Sequence, residues 1–289
     1  MIEWPENLVS DIARRRAVIV LGSGISRNSK NDSGKSPKTW GEFLKAQGSA
    51  MSLQPEYKQT LDRFDYLTAC ELLKQKLGQD SFRTLLIKEF LSPRYHHSIY
   101  HEMIFKLDAR IVVTPNFDKI YETYANTQAQ SSIRVKQHYD PDFADAIRRN
   151  ERIILKMHGT IDTPDQMIFT RREYAEARTK HRHFYKLLEA LALTNTFVFL
   201  GCGLHDPDTR LMLEDIFFRH EINQPHVFVM PEKTMSVAET KIVEETMNLS
   251  CLEYSLGPSS EHDELLASLK DLLTQVDVTR NQLTTTRNW

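Results

Sequence analysis

Short apolar runs that stop abruptly at glycine or polar residues organise this chain. Ala17–Leu21 reads Ala-Val-Ile-Val-Leu and ends in Gly22-Ser23-Gly24-Ile25-Ser26. Residues 111–118 read Ile-Val-Val-Thr-Pro-Asn-Phe-Asp, and residues 153–160 read Ile-Ile-Leu-Lys-Met-His-Gly-Thr. Thr196–Leu200 is followed by Gly201-Cys202-Gly203-Leu204-His205-Asp206-Pro207. Runs of this length and composition predict strands. In an open α/β sheet, ligands bind outside the carboxyl ends of the strands. The pattern therefore predicts a doubly wound, Rossmann-like parallel sheet. Two of its strand ends are glycine-rich, and two aim an amide (Asn116), a carboxylate (Asp118) and an imidazole (His158) into one crevice.

Between the first two strands the periodicity changes. From Thr39 to Leu107 apolar residues recur every three or four positions: Phe64, Leu67 and Leu72, then Phe82, Leu85, Leu86 and Phe90, then Ile99, Met103, Ile104 and Leu107. That spacing predicts an inserted helical module at about 39–107. Met1–Arg16 predicts a leading helix, and Arg27–Lys38 a polar loop able to act as a lid over a ligand. Past Asp118 the pattern predicts a helix to about Ala125, a strand at Ser132–Val135, a short helix at Pro141–Arg149, a strand at Met167–Thr170 and one helix over Arg171–Leu193. Asp206-Pro207 has the chemistry of a helix start, with Asp as cap and Pro at the first position. His226–Met230 and Leu252–Ser255 predict the last strands, and Glu261–Val276 a closing amphipathic helix. Asp277–Trp289 reads as a polar tail, loose or docked on a partner. The whole is expected to be one domain.

Composition adds exclusions. The chain has 289 residues, 40% hydrophobic and 26% charged, with a formal net charge of −2. No global basic field draws it to nucleic acid. No apolar stretch approaches the roughly 20 residues of a membrane span, and the first residues lack the pattern of a signal peptide. The expectation is a cytoplasmic protein without a membrane or direct nucleic-acid partner. The three cysteines, Cys70, Cys202 and Cys251, include no C-x-x-C pair, so a four-cysteine zinc ribbon within the chain is excluded. His96, His97 and His101 lack a carboxylate or cysteine at a usual metal-ligand spacing, and no metal is expected.

Each candidate residue has two readings. Gly22-Ser23-Gly24 either lets backbone approach a pyrophosphate or makes a tight structural turn; Arg27 stands where a complete G-x-G-x-x-G would have its third glycine. Asn116 and Asp118 either face one ligand from an extended strand end or cap the following helix. His158 is a candidate general base near neutral pH, with Gly159 allowing close approach, or a satisfied core histidine. Cys202 is either a nucleophile or a small residue packed beside a ribose.

Taken together and in order, these segments resemble the sirtuin family, and most closely the bacterial sirtuin-like NAD-cleaving proteins of anti-phage defence. Gly22-Ser23-Gly24-Ile25-Ser26 resembles the family's Gly-Ala-Gly-Ile-Ser, and Thr114-Pro115-Asn116-Phe117-Asp118 its Thr-Gln-Asn-Ile-Asp. Lys156-Met157-His158-Gly159 resembles the Leu-His-Gly segment, Gly201-Cys202-Gly203-Leu204 the Gly-Thr-Ser-Leu segment, and Ser36-Pro37-Lys38-Thr39-Trp40 the bacterial branch's Pro-x-Trp. The resemblance implies Asn116 and His158 as the catalytic pair and Asp118 as the holder of the nicotinamide carboxamide. It puts Gly22, Ser23, Gly24 and Ser26 at the pyrophosphate and nicotinamide side, and Gly201 and Cys202 at the adenosine ribose.

Three departures bear on activity. Thr160–Thr196 holds no cysteine where deacylating sirtuins carry their zinc ribbon. The Pro-Asp-Phe-Arg of the cofactor loop is missing, and Pro115 replaces a glutamine. The expected activity is therefore hydrolysis of NAD⁺ to nicotinamide and ADP-ribose. An NAD-dependent protein deacylase and a non-catalytic NAD or ADP-ribose sensor are the alternatives. With no room for a sensor domain, control is expected from homo-oligomerisation or a partner; the resemblance suggests a HerA-type ATPase.

Overall fold

A computed structural model describes residues 1–50, 55–204, 210, 213–214, 224–258 and 261–287. Its centre is one parallel sheet of seven strands: β1 Ala17–Leu21, β2 Ile111–Thr114, β3 Arg134–Gln137, β4 Ile153–Lys156, β5 Thr196–Leu200, β6 His226–Pro231 and β7 Leu249–Tyr254. The spatial order is β3-β4-β2-β1-β5-β6-β7, and every pairing is parallel. β1 is buried along its whole length, as a strand covered on both faces must be. Ile19 and Leu21 join the core on one face, Val18 and Val20 that on the other. From β1 the chain passes to β2, then to β3 at the sheet edge and back to β4 between β3 and β2, before starting β5 on the opposite side of β1. The order reverses between β1 and β5, which is where open α/β sheets leave a crevice. The fold is Rossmann-like α/β, as expected.

Helices cover the sheet and extend it. α1 (Glu6–Ala13) precedes β1, and a single turn, α2 (Ser23–Ser26), follows it. α3 (Trp40–Ala50), α4 (Pro55–Asp62), α5 (Tyr66–Leu77), α6 (Gln79–Leu86) and α7 (Ile99–Lys106) lie between β1 and β2, with a π turn at Ile87–Leu91. Phe43, Leu44, Tyr57, Leu73, Phe82 and Leu86 give this segment a hydrophobic core of its own. α8 (Ile120–Gln128), α9 (Phe143–Arg148), α10 (Arg171–Lys180), α11 (Arg182–Thr194), α12 (Val237–Met247) and α13 (Asp263–Thr286) complete the described elements.

Three expectations are corrected. Among the described residues Met167–Thr170 pairs with no strand; Ile161, Met167 and Phe169 instead insert into the core of α3–α6. The helix predicted over Arg171–Leu193 is two, divided at His181, whose backbone leaves helical geometry. The polar C-terminal tail is helical to Thr286 and docked on its own chain. Leu283 is buried in the core beneath α1, and the Arg280 guanidinium donates to the carbonyls of Leu107 (2.7 Å) and Ile12 (3.4 Å). Thr284, Thr285 and Thr286 each donate to the carbonyl four residues back, a helical outlet for hydroxyls that composition alone reads as loop. The helix start at Asp206-Pro207 lies outside the described residues. Among the described residues no helix is long and apolar enough to cross a membrane.

Candidate active site

The carboxyl ends of β1, β2, β4 and β5 surround a pocket of about 280 Å3, near the low end of ligand sites at about 300–1,000 Å3. Gly22, Ser23, Ser26, Asn116, Asp118, His158 and Cys202 all line it. Gly24 and Gly201 do not; they sit against each other behind the wall. A Cβ on Gly22 would fall 2.2 Å from the Gly201 carbonyl oxygen, and one on Gly201 would fall 2.5 Å from the Ile25 nitrogen. Gly201 also has φ +63°, which non-glycine residues adopt at a cost. The two glycine turns thus let two backbones meet, and Gly24 N–H donates to Gly201 O at 2.9 Å. This contact is a structural reason for the glycines that the motif alone does not reveal.

The end of β2 is held in place by its own side chains. Thr114 Oγ1 donates to Leu21 O (2.7 Å) on the neighbouring strand and accepts the Asn116 N–H (3.1 Å). Asn116 Nδ2 donates to Ser26 Oγ (3.3 Å), which donates to Asp118 Oδ2 (2.9 Å). This directed chain links the β1 turn to the β2 turn and ends on a carboxylate. Asp118 Oδ1 accepts the Ile120 N–H at 3.0 Å. Asp118 therefore serves the start of α8 and lines the pocket at once. An ionised carboxylate has about four acceptor sites, so two occupied ones leave capacity for a ligand donor.

Lys156 supports the same loop from below. It is 1% exposed at the end of β4. Its Nζ donates to Asp118 O (2.5 Å) and Glu122 Oε2 (2.7 Å). Burial pushes the Glu122 carboxyl above its ordinary range, and the Lys156 ammonium pulls it back. Removing one partner of such a pair leaves an uncompensated buried charge.

His158 is 2% exposed, two residues beyond β4. Its Nδ1 lies 3.2 Å from the hydroxyl of Tyr174 on α10. Gly159 at φ +83° turns the chain immediately afterwards, and His158 O accepts the Ile168 N–H. The position of Tyr174 follows from a capping box: Thr170 accepts from Glu173 N, and the Glu173 carboxylate accepts from Thr170 N. Trp40 lies parallel to the Tyr174 ring, with centroids 6.5 Å apart, and completes an aromatic wall with Tyr66, Phe90, Phe117 and Phe169. Tyr174 and Lys156 carry no role in the sequence reading. A lysine at the end of an apolar run, and one aromatic in an otherwise charged first helical turn, were the available signals.

The other sequence candidates separate. Cys202 lies with its Sγ 3.5 Å from Val20 O and 3.7 Å from Leu200 O, an orientation in which the thiol donates to backbone. His96 meets Asp32 (2.7 Å), His97 stacks on Tyr124, and His101 is buried on α7. No group of three or more His, Cys, Asp or Glu suited to a metal occurs among the described residues. The Arg27–Lys38 segment brings Pro37 and Lys38 to the pocket. It is tethered by Arg27–Glu42 (2.9 Å), Lys38–Glu89 (2.7 Å) and a backbone bridge from His96 to Lys30.

Residues 110–252 match the SIR2-like domain family. The chain is 26% identical over 223 residues to the NAD(+) hydrolase ThsA of Enterococcus faecium, covering 76% of this chain and 44% of that protein. It is 25% identical over 201 residues to the NAD(+) hydrolase ThsA of Cytobacillus dafuensis, covering 69% and 38%. Defense-associated sirtuin 2 of Bacillus subtilis is 22% identical over 255 residues, covering 80% and 25%. The chain thus spans less than half the length of these relatives.

Proposed function

We propose, from its SIR2-like domain and the pocket above, that this chain hydrolyses NAD⁺ to nicotinamide and ADP-ribose as an effector of anti-phage defence. The observation that carries the reading is the directed chain Asn116–Ser26–Asp118 facing His158 across one aromatic-walled pocket at the sheet's switch point. That three aligned relatives are named as NAD(+) hydrolases or a defence-associated sirtuin supports it.

The roles follow from which atoms remain available. Asp118, with one protein donor on each oxygen, accepts the carboxamide NH₂ of the nicotinamide. Asn116 gives Nδ2 to Ser26, so its Oδ1 is the end that orients an attacking water. His158, with its ring plane set by Tyr174, polarises a ribose hydroxyl or that water. Gly22, Ser23 and Ser26 take the pyrophosphate and nicotinamide side and Cys202 the adenosine ribose, while Gly24 and Gly201 hold the two turns together behind them. The bond to nicotinamide breaks with positive charge developing on the ribose. Fixing these groups in a pocket that excludes bulk water is the source of rate. No metal enters this scheme. Thr160–Thr196 has no cysteine, which disfavours the deacylase alternative.

The chain works in the cytoplasm as a homo-oligomer, and a partner, a HerA-type ATPase in this proposal, raises its turnover. The Arg27–Lys38 segment is the element such a partner shifts. Its tethers are the exposed Arg27–Glu42 pair, worth at most about 1 kcal/mol, the part-buried Lys38–Glu89 pair and the Lys30–His96 bridge; a partner shifts the segment by binding the shifted state better. The test is nicotinamide release from NAD⁺, with and without the genomic neighbour's protein, beside an acyl-lysine peptide assay. Release of acyl groups without nicotinamide-only turnover would make it a deacylase. Binding of NAD⁺ without any release would make it a sensor.

A further inference from the structure

Behind the Asn116–Ser26–Asp118 chain lies a second cavity, of about 10 Å3. Ser26, Asn116 and Asp118 line both cavities and form the partition between them. The far wall carries His101, Tyr121 and Glu122. Such a volume corresponds to about one water molecule, and a water there needs two to four polar partners. The walls supply them.

His101 is 1% exposed on α7. Its Nδ1 accepts the Ser98 N–H at 3.1 Å and lies 2.8 Å from Ser98 Oγ. An accepting Nδ1 fixes the neutral ring with its proton on Nε2. That Nε2–H is buried and meets no hydrogen-bond partner among the described residues. With the Nδ1 edge turned to Ser98, the Nε2 edge faces the cavity. Buried donors are almost always satisfied, by protein or by ordered water.

The geometry points to one bound water, held by the His101 Nε2–H and donating to Asp118, which makes His101 a positioning residue for the Asn116–Ser26–Asp118 partition. Burial lowers the His101 pKa to about 4, against the pull of the Asp118 charge. The ring is therefore neutral at working pH, as the arrangement requires, since an imidazolium could not accept from Ser98. Tyr121 stacks on this ring with centroids 6.3 Å apart, and the charge of His97 acts in the same direction as burial. Through this water the last helix of the α3–α7 segment reaches the site from behind. The positioning role rests on the NAD⁺-cleavage reading; the bound water does not.

Two measurements on the full chain test this. The first is the long-range proton–nitrogen spectrum of the histidine rings between about pH 8 and 5.5. We expect His101 as the Nε2–H tautomer throughout, with a cross-peak from that proton to water. A proton on Nδ1, or an Nε2–H without a water contact, would overturn the bound water. The second is turnover well below the melting temperature. His101→Phe keeps a ring against Tyr121 but has no nitrogens, and is expected to lower kcat about tenfold with KM nearly unchanged. His101→Gln restores a capping-box acceptor and a donor and is expected to recover most of that loss. A His101→Phe chain that melts earlier yet turns over at the wild-type rate would leave His101 a purely structural cap. If His101→Phe does not fold, a His101→Gln kcat no better than one tenth of wild type, or a dry spectrum, decides against the proposal. Absent wild-type turnover, both alone and with the genomic neighbour's protein, would overturn the cleavage reading and the positioning role, while the water still stands or falls on the spectrum.

Discussion

At the scale of single residues, the site is a set of strand ends whose side chains constrain one another. Asn116→Ala and His158→Ala are each expected to cut NAD⁺ turnover by about 10²-fold or more, as removal of a positioned polar or acid–base group does. Both leave the strands intact, so circular dichroism should match wild type; a soluble variant with full turnover removes that residue from the mechanism. Ser26→Ala breaks the chain at its middle and leaves Asp118 Oδ2 without its 2.9 Å donor; a fall of about tenfold in turnover is expected. Cys202→Ser should keep most of the activity, because the thiol donates to backbone carbonyls as a hydroxyl can; a covalent adduct at that sulfur during turnover would contradict this. Asn116, Asp118 and His158 are legible in the sequence because each ends an apolar run. Tyr174 is not, because its contact to His158 depends on how α10 docks. Lys156 shows itself only as a charge ending an apolar strand, which says that a partner exists but not which one.

At the scale of elements, the two glycine turns are the least replaceable part. Gly201→Ala forces a side chain into φ +63° and into contact with Ile25 N; backbone strain of this kind costs on the order of 1–3 kcal/mol before the clash is counted. Denaturant unfolding should show at least that loss, and unchanged stability would mean the two turns can part freely. The sequence marks these glycines and leaves a ligand and a tight turn both open; that the β1 and β5 turns need them against each other is a tertiary fact. The same limit explains the 161–169 segment. Met167–Thr170 suits a strand, but among the described residues it joins no ladder, and Met167 and Phe169 with Ile161 fill the core of the inserted helices instead. The closing helix overruns its expected end because Leu283 and Arg280 have specific sites on the body of the chain. The strands themselves were legible since continuous apolar runs need no tertiary information.

At the scale of the whole molecule, three buried histidines make stability acid-sensitive. Burial lowers His101 and His226 to about 4 and His138 to about 3, from ordinary values near 6.5. As pH falls below about 6.5 the unfolded chain takes up these protons first, so their contribution is complete above that pH and declines toward pH 4. Each histidine adds a slope of at most about 1.4 kcal/mol per pH unit. Unfolding at pH 7 and 5.5 should show the loss; equal stability would mean that these rings are hydrated. On the proposed assembly, light scattering should give a multiple of the 33.6 kDa chain mass, and a monomer with full turnover alone would count against control by assembly. The most direct test of the central proposal is nicotinamide release from NAD⁺ by the purified chain, alone and with its genomic neighbour's protein, beside Asn116→Ala. The account predicts nicotinamide and ADP-ribose in equal amounts from wild type in at least one condition, with Asn116→Ala lower by about 10²-fold. No release in either condition, or equal release by the variant, would contradict it.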